Sequence, residues 1–421
     1  MSYFEDASLV YIPSAVKLSK TYSIKPTDGS GDLTFTRSND TATRVNSSGL
    51  IEKVRTNLVL QSEDFTTSWN TNVAPTITAN TTVAPDGTTT ADTIASGGAS
   101  SGVYQVPTVV SGVEYSFSVY IKNITSATNI QIGCDLAPTN GYLFFNAVSG
   151  TINGAAGGIT GSSVTDAGNG WYRVSGTYVA TGTSNTTIIF GQAGMSFAVW
   201  GAQLETGVAT QYLATTTAPV STGPVSGLPR LDYSGGATCP SVLLEPQSTN
   251  LALFSEQLNN AEYTADNASF TANAAASPDG YTNADLLTEN SSSAAHGFYA
   301  SIATRGTTGA SLTTSIFAKS NGRRYINISG GFDSGNYYNA VFDLQNGVVS
   351  TTGNAGAGTS PVASIVSYGN GWHRCIVTGS VTGLNNRLSF IYLSNSTTGN
   401  GASGATYTGN GTSGVYFYGY Q

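Results

Sequence analysis

The chain has 421 residues, enough for two or three domains rather than one. Charged residues make up only 10%, and Asp+Glu at 24 outnumber Lys+Arg at 16 for a net charge of −8, which excludes a nucleic-acid binder that works by neutralising phosphates. Hydrophobic residues at 39% and aromatics at 10% supply the apolar area for a folded, turn-rich chain in spite of 50 glycines.

The start, Met1-Ser2-Tyr3-Phe4-Glu5-Asp6, is acidic and lacks the cationic end and apolar run of a signal peptide. No stretch of 18 apolar residues could span a bilayer. A chain made in the cytosol, with no signal peptide and no membrane insertion, is expected. Residues 1–56 recur nowhere else, which suits an attachment or assembly element.

From residue 57 onward the chain repeats itself, the first thing to establish in any fold assignment. Thr56-Asn57-Leu58-Val59-Leu60-Gln61-Ser62-Glu63 returns as Thr249-Asn250-Leu251-Ala252-Leu253-Phe254-Ser255-Glu256. Pro85-Asp86-Gly87 returns as Pro278-Asp279-Gly280, and Ala91-Asp92 as Ala284-Asp285. Phe117 to Lys122 matches Thr314 to Lys319, and Gly168-Asn169-Gly170-Trp171-Tyr172-Arg173 matches Gly369-Asn370-Gly371-Trp372-His373-Arg374. Val199-Trp200-Gly201-Ala202-Gln203 matches Phe417-Tyr418-Gly419-Tyr420-Gln421, with a wider spacing that places an insertion in the Gly/Ser/Thr-rich stretch 394–414. That stretch reads as a mobile surface loop. The first copy runs on past Gln203 to Tyr212, so the second copy reads as cut short at Gln421. The layout is thus an N-terminal segment 1–56, a module 57–215, a linker 216–248 and a module 249–421.

Strand signals dominate each copy. Val113, Tyr115, Phe117, Val119 and Ile121 alternate with polar residues, predicting a strand with one buried face. Gly168-Asn169-Gly170 and Gly369-Asn370-Gly371 tolerate the positive φ of a tight connection between antiparallel strands, and Pro-Asp-Gly marks a β-turn. No long amphipathic helix is evident. The fold class that follows is all-β: tandem antiparallel β-sandwich, jelly-roll-like modules behind a non-repeated N-terminal segment.

Cys134, Cys239 and Cys375 are far apart and form no Cys-x-x-Cys pair, so neither a zinc site nor a disulfide framework is suggested. Cys134 shares parity with Ile130 and Ile132 and reads as a small hydrophobe. The two histidines, His296 and His373, have no counterparts in the first copy and read as exposed or capping residues rather than a catalytic base. Nucleophile-elbow, Walker and zinc-protease motifs are missing. The matched acids Glu63/Glu256, Asp86/Asp279 and Asp92/Asp285 read as partners of the backbone, not as a glycosidase pair. Nor do the acids cluster as a calcium site would require. No catalytic residue, metal or cofactor is therefore expected, and the chain is read as no enzyme.

The aromatics are more informative: 23 Tyr, 16 Phe and 4 Trp. Sugar rings present apolar C–H faces that stack on such rings, with amides to bond the hydroxyls. Trp171 and Trp372 read as core. Tyr120, on the polar side of its strand, and Tyr142, Arg324, Tyr337 and Tyr338, beside Gly/Asn-rich loops, are the candidate glycan contacts.

Taken together, the Asn-Leu-x-Leu-x-Ser-Glu, Pro-Asp-Gly, Gly-Asn-Gly-Trp-Tyr-Arg and Val199-Trp200-Gly201-Ala202-Gln203-Leu204-Glu205 segments, with Ala209-Thr210-Gln211-Tyr212, resemble modules of tailed-bacteriophage virion proteins. The opening resembles them too, through Phe35-Thr36-Arg37-Ser38, Ala42-Thr43-Arg44-Val45-Asn46 and Gly49-Leu50-Ile51-Glu52, as does the segment from Pro229 to Gln247. The resemblance implies carbohydrate-binding-like jelly rolls of a head fibre, tail fibre or capsid-decoration protein on the virion surface. Its expected partners are other virion proteins, through residues 1–56, and a host-surface glycan, and it implies a homo-oligomer that gains avidity from repeated weak sites. A purely structural decorating or cementing protein is the alternative, and a polysaccharide depolymerase the third reading.

Overall fold

The computed structural model describes all residues except 1–2, 18–19, 38, 136–140, 185, 235–237, 246–247, 301–308, 334, 383–387 and 398–403. Ser38, Gly235, Gly236, Pro246 and Gln247 of the segments quoted above therefore lie outside the described residues, as does part of the stretch 394–414. The chain forms two compact units, Met1–Leu244 and Glu245–Gln421.

The first unit opens with a four-residue helix, Tyr3–Asp6, and a three-stranded antiparallel sheet of Val10–Lys17, Lys20–Lys25 and Leu33–Thr34. A hairpin of Thr43–Val45 and Ile51–Lys53 follows. Residues 216–244 belong to this unit and are tied to the opening segment. Val220–Thr222 pairs with Arg55–Asn57, Val45 N donates to Asp232 Oδ1 at 3.0 Å, and Arg37 donates to the carbonyls of Leu228, Pro224 and Val225.

Among the described residues, the sandwich of the first unit has twelve strands. They are β1 (Asn70–Asn72), β2 (Thr76–Thr82), β3 (Ala91–Ala95), β4 (Ser101–Gln105), β5 (Glu114–Thr125), β6 (Ile130–Asp135), β7 (Gly141–Asn146), β8 (Thr151–Ala156), β9 (Ile159–Gly168), β10 (Trp171–Val179), β11 (Thr186–Gly191) and β12 (Ser196–Thr206). In the second unit the strands are β13 (Tyr263–Asp266), β14 (Ala268–Ala276), β15 (Thr282–Glu289), β16 (His296–Ala300), β17 (Leu312–Asn321) and β18 (Tyr325–Asp333). They continue with β19 (Asn336–Asp343), β20 (Val348–Ala355), β21 (Val362–Ser367), β22 (His373–Gly379), β23 (Leu388–Ser394) and β24 (Gly414–Tyr418).

Each unit holds two six-stranded antiparallel sheets, in the orders β8-β7-β6-β11-β4-β1 and β9-β10-β5-β12-β3-β2, then β20-β19-β18-β23-β16-β13 and β21-β22-β17-β24-β15-β14. Strand for strand, the second order reproduces the first. The sequence repeat is a repeat of topology.

Alternation places the cores. In the first unit Val103, Ile132, Leu143, Phe145 and Ile189 from one sheet meet Phe117, Val119, Ile121, Val174 and Phe197 from the other. Phe298, Ile326, Ile328, Phe342 and Ile391 meet Ile316, Cys375, Val377, Val415 and Phe417 in the second. Cys134 lies in the first core beside Ile130 and Ile132. Trp171 and Trp372 are 1% and 2% exposed, their indole nitrogens bonded to the carbonyls of Val83 and Ala276.

The loops obey their chemistry. Gly168, Asn169 and Gly170 have φ of 81°, 52° and 79°, and Gly369, Asn370 and Gly371 have 77°, 51° and 80°; each trio joins a pair of antiparallel strands. Gly87 N donates to Ala84 O, and Gly280 N to Ser277 O, closing the Pro-Asp-Gly turns.

Three expectations are corrected. β5 buries both its faces: Tyr115, Phe117, Val119 and Ile121 enter the core, but Ser116 and Ser118 are each 1% exposed as well. Arg173 from β10 donates to Ser118 Oγ at 2.9 Å and Ser116 Oγ donates to Gly207 O at 2.6 Å, because the chain after β12 lies over that side. Neither histidine is exposed; His296 sits against Tyr407 and His373 against Gly347. The described part of the stretch 394–414 is held in place, with Tyr407–Thr408 paired to Ser293–Ala294.

Two glycines at matched positions set how closely strands approach. A methyl group on Gly102 of β4 would overlap the Ile189 carbonyl, and one on Gly297 of β16 the Ile391 carbonyl. Gly102→Ala and Gly297→Ala should each destabilise by about 2 kcal/mol or more, whereas Gly87→Ser in an open turn should cost less; thermal unfolding of the three variants checks the ranking.

Candidate functional site

The candidate residues read from the sequence scatter. Tyr120 lies on the outer side of the β5 sheet, its ring edge-on to Trp200 at 5.4 Å and Tyr212 at 6.2 Å, with the Arg173 guanidinium 5.5 Å from its centroid. Its neighbours are thus internal. Tyr142 stands on β7, in the other sheet, half-buried and edge-on to Phe144 at 5.4 Å. Arg324 precedes β18 and forms an ion pair with Asp343, with Nη2 2.6 Å from Oδ2. That pairing lowers the Asp343 carboxyl to about 2. Tyr337 lies at the opposite end of the β18–β19 pair, half-buried on the outer side. Tyr338 is corrected: it is 1% exposed and packed in the second core, because residues adjacent on a strand point to opposite faces.

What the tertiary structure assembles instead is an outward aromatic face on the sheet carrying Tyr142. Val103, Ile132, Leu143 and Ile189 point inward, so the alternate residues point out. One cross-strand row is Phe144, Gln131, Phe190, Gly102 and Asn72; the next is Tyr142, Gly133, Ile188, Tyr104 and Asn70. Tyr104 is edge-on to Phe190 at 6.5 Å. Phe190 is 8% and Ile188 2% exposed, so they form an apolar floor among the half-buried Tyr104, Gln131, Tyr142 and Phe144. None of these described side chains carries a formal charge.

The second unit repeats the face with altered residues. The corresponding rows are Val341, Asn327, Tyr392, Gly297 and Asp266, and Asn339, Ser329, Phe390, Tyr299 and Thr264. Tyr299 thus stands where Tyr104 stands, Tyr392 where Phe190 does and Phe390 where Ile188 does. Phe390 is 5.6 Å from Tyr299 and stacked on Tyr392 at 6.1 Å. The floor is polar: Asn327, Ser329 and Asn339 are all buried, and Asn339 Nδ2 donates to Asn327 Oδ1 at 2.8 Å. Tyr337 extends this face by one row, beside Gly331. Sequence reading missed Tyr104 and Tyr299, although Gly102-Val103-Tyr104 and Gly297-Phe298-Tyr299 are a matched pair that alternation would have turned outward.

The repeated acids serve the loops. Asp92 accepts from Phe65 N at 2.8 Å and Asn80 N at 2.9 Å; Asp285 accepts from Leu258 N at 2.8 Å and Asn273 N at 3.0 Å. Burial raises both, Asp285 to about 6. Tyr212 OH donates to Glu63 Oε1 at 3.0 Å, and burial pushes that carboxyl up. In the second unit the Tyr418 hydroxyl lies 3.0 Å from Glu256 Oε1 and 2.9 Å from Asp279 Oδ2, filling the space between the two carboxyls. Among the described residues no group of three or more His, Cys, Asp and Glu is placed to hold a metal ion.

No family model matches the sequence, and no curated protein matches it. Among solved structures, the chain is similar to the N-terminal CBM22-1-CBM22-2 tandem domain of Paenibacillus barcinonensis Xyn10C, with 14% identity and a TM-score of 0.27 over 87% of this chain and 96% of that one. It is also similar to the CBM22-1-GH10 modules of Clostridium thermocellum endo-1,4-beta-D-xylanase 10B complexed with xylohexaose, with 16% identity and a TM-score of 0.25. There the match covers 42% of this chain and only 30% of that chain. Likenesses this distant carry no argument about ligand or chemistry.

Because burial lifts Asp285 from 3.8 to about 6, the folded unit holds a proton there that the unfolded chain has given up. Stability should therefore fall as pH rises from about 4 to about 6, and this part of the slope should vanish in Asp285→Asn. Denaturant unfolding of both proteins across that range reads the difference.

Proposed function

We propose that the chain is a non-catalytic glycan-binding protein whose two sandwich modules each present one uncharged or weakly charged aromatic sheet face to a saccharide. The observation that carries this reading is the recurrence of Tyr104 and Tyr299 at one position of one sheet face, each flanked by a second ring, Phe190 or Phe390. Tyrosine rings stack on the C–H faces of sugars, and the half-buried Gln131, one strand away from Tyr104 across Phe190, is a neutral amide of the kind that bonds hydroxyls. Two weak sites on one chain gain avidity. The phenol between Glu256 and Asp279 fills the gap that this pair would need, for a glycosidic bond, to act as the two acids of a depolymerase.

The setting we propose is the virion surface of a tailed bacteriophage, as a head fibre, tail fibre or decoration protein made in the host cytosol, with the modules engaging a host-surface glycan. The sequence motifs support it, and the opening segment adds a physical reason. Tyr3, Phe4, Ile12, Tyr22 and Ile24 are 97%, 51%, 48%, 41% and 38% exposed there, apolar surface suited to burial against another virion protein or a second copy. The same exposure favours the second reading, a decorating protein that binds no sugar.

A glycan array of bacterial surface polysaccharides, followed by titration calorimetry on the best ligand, separates the two. Tyr104→Ala and Tyr299→Ala should each weaken binding about tenfold at unchanged thermal stability, and the double variant should lose it. A wild-type protein silent on the array favours the decorating role, and a double variant that binds normally removes Tyr104 and Tyr299 from the site.

A further inference from the structure

The segment between β23 and β24 has no counterpart in the first unit, and its described part runs back across the module as a strap. Tyr407 and Thr408 pair with Ala294 and Ser293, and Gly409 N donates to Ser292 O at 3.0 Å. Tyr407 OH donates to Glu289 at 2.7 Å, Asn410 N donates to Glu289 Oε1 at 2.8 Å, and the Arg323 guanidinium stacks 4.6 Å from the Tyr407 ring. At the start of the strap Gly404 lies against Tyr392; a Cβ there would come within 2.6 Å of the ring. Tyr392, 4% exposed, is the ring of the second aromatic face that the strap covers.

His296 lies beneath this strap, 0% exposed, with its ring 4.7 Å from that of Tyr407. Nδ1 is 2.8 Å from Asn267 O and Nε2 is 3.2 Å from Tyr407 O. Both partners are backbone carbonyls, which only accept, and a neutral imidazole has one N–H. Both contacts are hydrogen bonds only when the ring carries two protons; otherwise one nitrogen lone pair faces a carbonyl oxygen.

The geometry points to a proton-operated strap: the imidazolium form of His296 bridges Asn267 to Tyr407 and holds residues 404–410 over Tyr392, and loss of one proton loosens them. The charged groups around it are Glu289 and Arg323, paired with each other beyond Tyr407, and Asp266. Asp266 accepts from Asn267 Nδ2 at 2.9 Å and from Tyr392 OH at 3.2 Å, joining the histidine's carbonyl partner to the covered ring. At the matched position the first unit has Ser101, so its face has no such latch. Falling pH therefore closes the second face and leaves the first unchanged, an asymmetry independent of what ligand either face takes.

The sequence holds only two histidines, so long-range proton–nitrogen spectra of the full chain resolve the ring directly, with His373→Gln assigning the second signal. Both nitrogens of His296 should be protonated at low pH. As pH is raised, amide exchange at Tyr407–Gly409, corrected for intrinsic rate, should speed up about tenfold in step with the loss of the second ring proton in the spectra. His296→Phe, or His296→Gln if the first does not fold, should abolish that dependence. A ring with a single proton throughout, or a titration that leaves exchange in the strap unchanged, overturns the proposal; the wild-type spectra decide it even if both variants are unstable.

Discussion

The packing of one six-stranded sheet on another is the constraint from which the rest of this molecule follows. Two sheets that bury their inner faces commit every second residue of each strand to the interior. In the first unit this claims Val103, Ile132, Leu143 and Ile189, and the opposite parity is left to face outward. The aromatic face is the remainder of that division. Gly102 and Gly297 belong to it for a steric reason, since a side chain at either would collide with the neighbouring strand.

Duplication has kept the frame and let the fittings drift. Asp92 and Asp285 each tie a loop amide, that of Phe65 or Leu258, to an amide of the neighbouring edge strand, that of Asn80 or Asn273. The glutamates Glu63 and Glu256 each take a phenol, yet it comes from Tyr212, after the last strand, in one unit and from Tyr418, within the last strand, in the other. Tyr418 occupies the place of Trp200, whose ring packs on Tyr212 at 4.7 Å. One tyrosine thus fills space and supplies a hydroxyl where the first unit uses two residues. The two faces diverge as well: Gln131, Gly133 and Tyr142 of the first unit correspond to Asn327, Ser329 and Asn339 in the second.

Much of the frame was legible in the chain itself. Gly-Asn-Gly before an aromatic strand and Pro-Asp-Gly before Ala-Asp are local signals, because positive φ and a preset proline angle depend on neighbours in sequence alone. The candidate site was less legible. Tyr120 turned out to pack beneath Trp200 and Tyr212, and Tyr338 entered the core while Tyr337, one residue earlier, faced outward. A ring beside a glycine-rich loop reads alike in either orientation until the register of its strand is known. The histidines were misread for a related reason: His296 is buried by a strap that reaches it from residue 407.

The sequence by itself determined the duplication, the all-β character, the turns and the absence of familiar catalytic motifs, since each is written in composition or in spacings of a few residues. Only the tertiary structure decided which aromatics share a face, which acids are consumed by loops and what covers Tyr392. Those depend on strand pairings between residues as distant as Tyr104 and Ile188, and no local pattern encodes a cross-strand neighbour.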